Sequence, residues 1–415
     1  MQSTRRSIAT LLVGTAVLFL GNGLLMTLLP IRAKLEAFST SWVGLIGGVY
    51  AAGFVLGCLV GPWVVKQVGH TRAFAGFAAL CAIAAMAHPF AIDPLGWAAL
   101  RGFTGLCLAV LYMVIESWLN DRAPNDVRGR VLSLYIIIGN LVTIGGQLMV
   151  NLAPPEGPKL FVFVGMLICL SLVPLSLTPA ATPTPPQSAR PQIGALFALS
   201  PTGFVGCLAI GFIEGSFWAL GPVFAQERGL PISQITLFMA AFMVGGTLSQ
   251  WPLGRYSDKV DRRLVILGCS LATLGTGLAL AFVTLESLHL ALALGCLHGA
   301  VMIPLYPLCL AHANDYAPNE RLVEVSSGLL LIYSTGAIIG PLAVAPAMDR
   351  YGPGALFLAM ALVLALLAVF LIYRLLKRSV QEALWRGTFM PVPKTTQSVY
   401  EMETDDEADA PDVRP

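Results

Sequence analysis

Glu214 is the residue whose chemistry most needs a built environment. It lies twelve residues into an apolar run that begins near Thr202, about 18 Å deep at 1.5 Å per residue and close to the middle of a bilayer core about 30 Å thick. An ionised carboxylate at that depth costs about 3 kcal/mol, a cost the neutral acid largely avoids. A carboxyl so placed can carry a proton; the alternative is a structural hydrogen bond to Ser216 or to a neighbouring helix. His298 lies ten residues into another apolar run, about 15 Å deep by the same rise. Imidazole also exchanges protons near neutral pH, although a buried histidine is as often a packing residue. Arg101 stands near the outer end of the fourth apolar run, where a charge is a functional candidate or snorkels to the headgroups. Glu116, at the inner end of the same run, has Arg122, Arg128 and Lys66 nearby, which predicts a structural ion pair. Asn22, Tyr112 and Tyr306 are further polar side chains inside apolar runs; they line a path or simply pack.

Such residues need long apolar elements to hold them. The chain has 415 residues, of which 56% are hydrophobic and 12% charged, about half the charged share of a soluble domain. Twelve apolar runs are legible, at about 8 to 30, 42 to 65, 73 to 91, 97 to 119, 131 to 152, 159 to 178, 202 to 225, 234 to 253, 264 to 284, 288 to 311, 325 to 347 and 354 to 376. Each is near the roughly 20 residues an α-helix needs to cross a membrane. The first follows Arg5 and Arg6 and, at about 23 residues, is too long for the apolar part of a signal peptide. An even number of spans puts both termini on one side. Loops on that side hold about thirteen basic residues before the tail, against about five opposite, which places the termini in the cytoplasm.

A net charge of +2 offers no footprint for a nucleic acid. The eight cysteines occur singly, without the paired spacing of a metal site or disulfide framework. No nucleophile with base spacing, metal-ligand cluster or phosphate-binding loop is present. No metal, cofactor or enzymatic chemistry is expected.

The chain repeats itself. Asn120-Asp121-Arg122-Ala123-Pro124-Asn125-Asp126 returns as Asn314-Asp315-Tyr316-Ala317-Pro318-Asn319-Glu320, and the same offset of 194 superimposes Gly105 on Gly299, Tyr112 on Tyr306 and Gly146 on Gly340. Near that offset Asn22-Gly23 to Pro30 matches Glu214-Gly215 to Pro222. Two six-helix halves of the same orientation follow, related by an axis along the membrane normal. Glycines at four-residue spacing, Gly53, Gly57 and Gly61 in the second run and Gly336 and Gly340 in the eleventh, predict close helix packing or a sliding seam between bundles.

Between the eighth and ninth runs lies WPLGRYSDKVDRR, Trp251 to Arg263. The spacing of Gly254, Asp258, Lys259, Arg262 and Arg263 resembles the loop between the second and third helices of a six-helix repeat in the major facilitator superfamily, with Asp261 where a second glycine would stand. A weaker first copy, Gly61, Lys66, Gly69, His70 and Arg72, has a lysine where the aspartate belongs. Arg101-Gly102-Phe103-Thr104-Gly105 to Ala109 resembles the fourth-helix motif of the superfamily. With Gln250 to Arg255, and Glu116-Ser117 before the loop ending Arg128-Gly129-Arg130, residues 8 to 376 resemble its YcaD-like branch.

The resemblance implies an all-α membrane fold, twelve transmembrane helices as two pseudo-symmetric six-helix bundles, working by alternating access. The solute would sit at the midplane between helices one, four, seven and ten, with Arg101 coupling protons or substrate. Asp258 would meet the N-terminus of the eleventh helix, near Val325 to Gly328, when the inner face is closed; Lys66 cannot do this at the fifth helix. The expected units are residues 1–178, a proline-rich linker 179–201, residues 202–376 and a tail 377–415. In the tail, 377 to 389 suits a short helix at the membrane interface and 401 to 412 is acidic and expected to be disordered. The expectation is a proton-coupled secondary transporter of a small organic solute, monomeric in a bacterial inner membrane. Its rivals are an uncoupled facilitator of a neutral solute and a receptor or scaffold that transports nothing.

Overall fold

The computed structural model describes residues 2–123, 128–176, 193–284, 287–318 and 321–377, with 389, 395 and 396. Residues 179–192 of the linker expected at 179–201 and the acidic end of the tail lie outside them; the rest of that linker is a short helix, Ile193–Leu199, and the Ser200 cap of the helix that follows. Among the described residues eleven helices are long and apolar enough to cross a membrane, and a shorter apolar helix completes twelve. They are α1 Gln2–Leu35, α2 Thr40–Val68, α3 His70–Ala87, α4 Pro94–Arg122, α5 Arg128–Leu148 and α6 Lys159–Ser176 in the first half. The second half holds α7 Pro201–Glu227, α8 Ile232–Lys259, α9 Arg262–Phe282, α10 Leu288–Asn314, α11 Leu322–Tyr351 and α12 Ala355–Lys377.

Boundaries follow local chemistry. Asp93 and Ser200 cap α4 and α7 by accepting from the N–H groups of Gly96 at 2.7 Å and Gly203 at 3.1 Å, each followed by a proline at a position where its missing N–H costs nothing. Gly69, at φ +82°, turns α2 directly into α3, a conformation that L side chains resist. In the second-half copy of this turn Asp261 replaces the glycine because it caps α9, accepting from the Arg263 N–H at 2.9 Å. Burial raises the Asp261 carboxyl and the Arg263 hydrogen bonds outweigh it, holding the group below its ordinary value. α10 breaks near Pro304, which has no N–H to give the helix.

Hydrophobic burial cannot drive helices together in lipid, so close backbone packing does. Gly57 of α2 lies against the Leu106 backbone and Ala109 of α4, and Gly336 of α11 against Leu208 and Phe212 of α7. The four-residue glycine stripes are therefore packing surfaces within each half. The seam between halves uses other glycines, nearer the start of α2: Gly44 lies on Pro341 and Ala345 of α11, and Gly47 on Ala219 of α7. The repeat is visible in contacts as well as letters. Gly23 meets Thr143 as Gly215 meets Ala337, and Gly146 meets Leu20 as Gly340 meets Phe212.

A Cβ at Gly57 would lie 2.7 Å from the Ala109 Cβ. Gly57→Val should cost about 1–3 kcal/mol, seen as an earlier thermal transition of detergent-purified protein. Gly76→Val, where a Cβ meets nothing within 4 Å, should leave the transition in place; equal losses at both positions would show that the α2–α4 crossing is not the reason.

Candidate functional site

Glu214 is fourteenth of the 27 residues of α7, and its neighbour Gly215 lets α11 approach until a Cβ would sit 2.6 Å from the Ala337 backbone. This brings Tyr333, one turn before Ala337, onto the carboxylate: its hydroxyl donates to Glu214 Oε2 at 2.7 Å. The equivalent residue of the first half, Asn22, donates from Nδ2 to the Tyr112 hydroxyl at 3.0 Å. The pairing of repeat positions thus places two polar clusters opposite each other. Both border a central cavity of about 380 Å³ that also takes in Tyr50, Arg101 and Trp218.

Arg101 lies on the second turn of α4, and it does not snorkel. Only 5% of it is exposed; the guanidinium lies 4.0 Å from the Tyr50 ring centroid, a cation–π contact. Its Nη1 is buried without a hydrogen-bond partner among the described residues, as is Asn22 Oδ1. An unmatched guanidinium nitrogen beside a cavity is suited to an anionic oxygen.

Opposite the face where α1 begins and α12 ends, here the terminal face, the halves are closed on each other. Lys34 pairs with Glu227 at 2.9 Å. Asp349, at the end of α11, accepts from the backbone N–H groups of Thr40 and Ser41 at 2.8 and 2.7 Å, anchoring the first turn of α2, where a carboxylate suits the helix dipole. Asn151 donates to Thr236 at 2.8 Å.

At the terminal face Arg262 holds Asp258 at 3.0 Å and Asp315 at 2.9 Å. Lys66, Arg72 and Lys259 are exposed. The contact of Asp258 with the start of α11, expected when the inner face is closed, is not made in this structure; both its carboxylate oxygens accept from the Phe389 N–H, at 3.0 and 3.1 Å. Phe389, expected at the membrane interface, is buried against Gly254. Glu116 is fully buried and accepts from the hydroxyls of Tyr135, at 2.8 Å, and of Thr395 and Thr396, in place of the expected pair with Arg122 or Lys66; the side chain of Arg128, the third expected partner, lies outside the described residues. Hydroxyls satisfy a carboxylate in the interior without burying a second charge.

His298 is at the expected depth but does not border the cavity. Thr276 contacts its Nδ1 at 2.8 Å, and the rings of Phe217, Phe242 and Phe357 surround it at 5.3 to 6.1 Å. Tyr306 likewise packs behind Tyr333, ring centroids 4.8 Å apart. Sequence reasoning missed Tyr333, Tyr135 and Trp218. Each is an aromatic with a polar atom inside an apolar run, which was the available signal.

The profile described as Major Facilitator Superfamily matches residues 11–233 and 203–397. YcaD of Escherichia coli O139:H28, an uncharacterized MFS-type transporter, is 29% identical over 363 residues, 87% of this chain and 94% of its own. An MFS-type transporter of Enterobacter sp. (strain 638) is 29% identical over 371 residues, with the same coverage. Among solved structures the nucleoside transporter NupG superimposes with a TM-score of 0.77 at 12% identity, over 90% of this chain and all of its own. The fucose:proton symporter FucP of E. coli gives 0.56 at 15%, over 88% and 98%. In fold, in repeat and in sequence this chain belongs to the Major Facilitator Superfamily, as a multi-pass membrane transporter.

Proposed function

We propose that the chain is a proton-coupled secondary transporter of a small organic anion with an apolar or aromatic body. One observation carries the reading: Arg101 of the first half and Glu214 of the second border the same cavity. The Arg101 guanidinium receives a carboxylate or similar oxyanion, the rings of Tyr50, Tyr112 and Trp218 hold the body of the solute, and Glu214 carries the proton. The two halves, residues 1–178 and 202–376, rock about the cavity, joined by the linker at 179–201. Both termini face the cytoplasm of a bacterial inner membrane, and the unit is a monomer. The similarity to a fucose:proton symporter supports proton use by analogy of fold alone. Two opposed ionisable groups on the cavity speak against an uncoupled carrier of neutral solutes.

The test is a thermal-shift screen of purified protein against organic acids and their neutral amides at two pH values, followed by transport in liposomes. An acid should raise the melting temperature where its amide does not, and its accumulation should follow an imposed pH difference. Stabilisation by neutral compounds alone, with transport that ignores pH, would return the facilitator reading.

A further inference from the structure

Two polar atoms buried beside the central cavity lack partners, and they are of opposite kinds. Asn22 and Arg101 both border the cavity; among the described residues Arg101 Nη1 has no acceptor and Asn22 Oδ1 has no donor. The orientation of the Asn22 amide is fixed by its neighbours. Its Nδ2 donates to the Tyr112 hydroxyl at 3.0 Å and to the Met26 sulfur at 3.6 Å. A thioether accepts and cannot donate, so the nitrogen belongs on that side and the carbonyl oxygen on the other. Tying α1 to α4 through Tyr112 uses the nitrogen alone; a structural role therefore leaves Oδ1 unexplained, and a buried acceptor without a donor is unfavourable.

The two atoms are spaced along the cavity wall. A Cβ at Gly105 of α4 would meet the Tyr50 ring at 3.1 Å, and the Arg101 guanidinium lies on that ring. Tyr112, which holds Asn22, is seven residues further along α4, about 10 Å by the helical rise. A tyrosine on a helix leans back toward the N-terminus, which shortens the interval. The Phe54 ring fills it, its centroid 6.3 Å from that of Tyr50 and 6.0 Å from that of Tyr112. The wall between the two unmatched atoms is thus aromatic and about one ring long.

We propose that Asn22 is a specificity residue, its Oδ1 accepting from a hydroxyl or N–H of the solute at the end remote from the acid that Arg101 receives. The inference rests on the organic anion proposed above and narrows it to a flat acid with a hydrogen-bond donor about one ring's length from the carboxylate. An acid without that donor would cover the Asn22 carbonyl and leave it unpaired, and a site built to bond a donor discriminates against the analogue that lacks it.

The test uses the full chain in detergent and three acids of increasing length, benzoate, phenylacetate and 3-phenylpropionate. Each is supplied bare, with a 4-hydroxyl, with a 4-methoxy group, and as the amide of the hydroxy compound. Ligand-induced thermal stabilisation gives the Kd. At one length or more the hydroxy acid should bind the wild type about tenfold more tightly than the bare acid. The methoxy acid fills the same space without a donor and should gain nothing. Asn22→Leu should bring the hydroxy acid down to the bare acid, whose own binding changes little; the comparison within the wild type stands even if this variant does not fold. Equal binding of hydroxy and bare acids by the wild type at every length, binding of no acid in the series, methoxy acids as tight as hydroxy acids, or a hydroxyl preference that survives Asn22→Leu would overturn the role of Asn22 and leave the anion at Arg101 in place. Amides bound as tightly as acids would instead remove the anion, and this inference with it.

Discussion

Liposomes holding the Glu214→Gln variant should fail to accumulate solute in response to an imposed pH difference. At one proton per solute, one pH unit supports about a tenfold gradient in the wild type; the variant's ratio should stay at one. Glutamine keeps the shape of the side chain and can still accept from the Tyr333 hydroxyl, which donates to Glu214 at 2.7 Å, so the contact between α7 and α11 survives and the protein should fold. What is lost is the ability to change charge at the middle of the membrane, which is the property that couples a proton to a moving cavity. Solute binding, and exchange where the cycle permits it, should persist without dependence on pH. His298→Asn should act differently: its ring packs among three phenylalanines away from the cavity, so stability should fall while the response to pH remains. Accumulation by Glu214→Gln that still follows the pH difference would remove Glu214 from the mechanism.

Much of this arrangement is legible in the sequence because two signals act along the membrane normal. Hydropathy gives depth, and the offset between halves pairs Asn22 with Glu214 and Tyr112 with Tyr306. Neither signal reports rotation about a helix axis. Glu214 and His298 have similar predicted depths, yet one borders the cavity and the other is enclosed by rings. Arg101 looks like a headgroup anchor by position, and only the approach of Tyr50 on α2 shows why it stays inside. The glycine stripes are easily read as close packing; which helix each one meets depends on the crossing geometry. Asp258 and Glu116 defeat sequence reasoning for another reason. Their partners, Phe389 and Thr396, lie 131 and 280 positions away, the first at the end of the stretch whose letters suggest a membrane-surface helix and the second beyond it, and nothing local to either acid announces them.

Arg101→Lys should weaken binding of an organic acid about 10- to 100-fold while leaving the protein folded. Lysine retains the positive charge but presents a compact ammonium, without the planar fork that receives two carboxylate oxygens or the flat face that lies on Tyr50 at 4.0 Å. A hydrogen bond to a charged group contributes about 1.5–3 kcal/mol, and each 1.4 kcal/mol is tenfold in Kd. The readout is ligand-induced stabilisation. At a ligand concentration of about 100 Kd the wild type gains about 2.7 kcal/mol, and a variant binding 100-fold more weakly gains about 0.4 kcal/mol at the same concentration. The response should also be selective, since the neutral amide of the same ligand gives the guanidinium no anionic oxygen and should lose little on going from arginine to lysine. Coupling is expected to remain, because Glu214 is untouched: at saturating solute the Lys variant should still follow an imposed pH difference. A Lys variant that binds the acid as tightly as the wild type, or a wild type that does not distinguish acid from amide, would show that Arg101 holds α2 against α4 through Tyr50 rather than the solute.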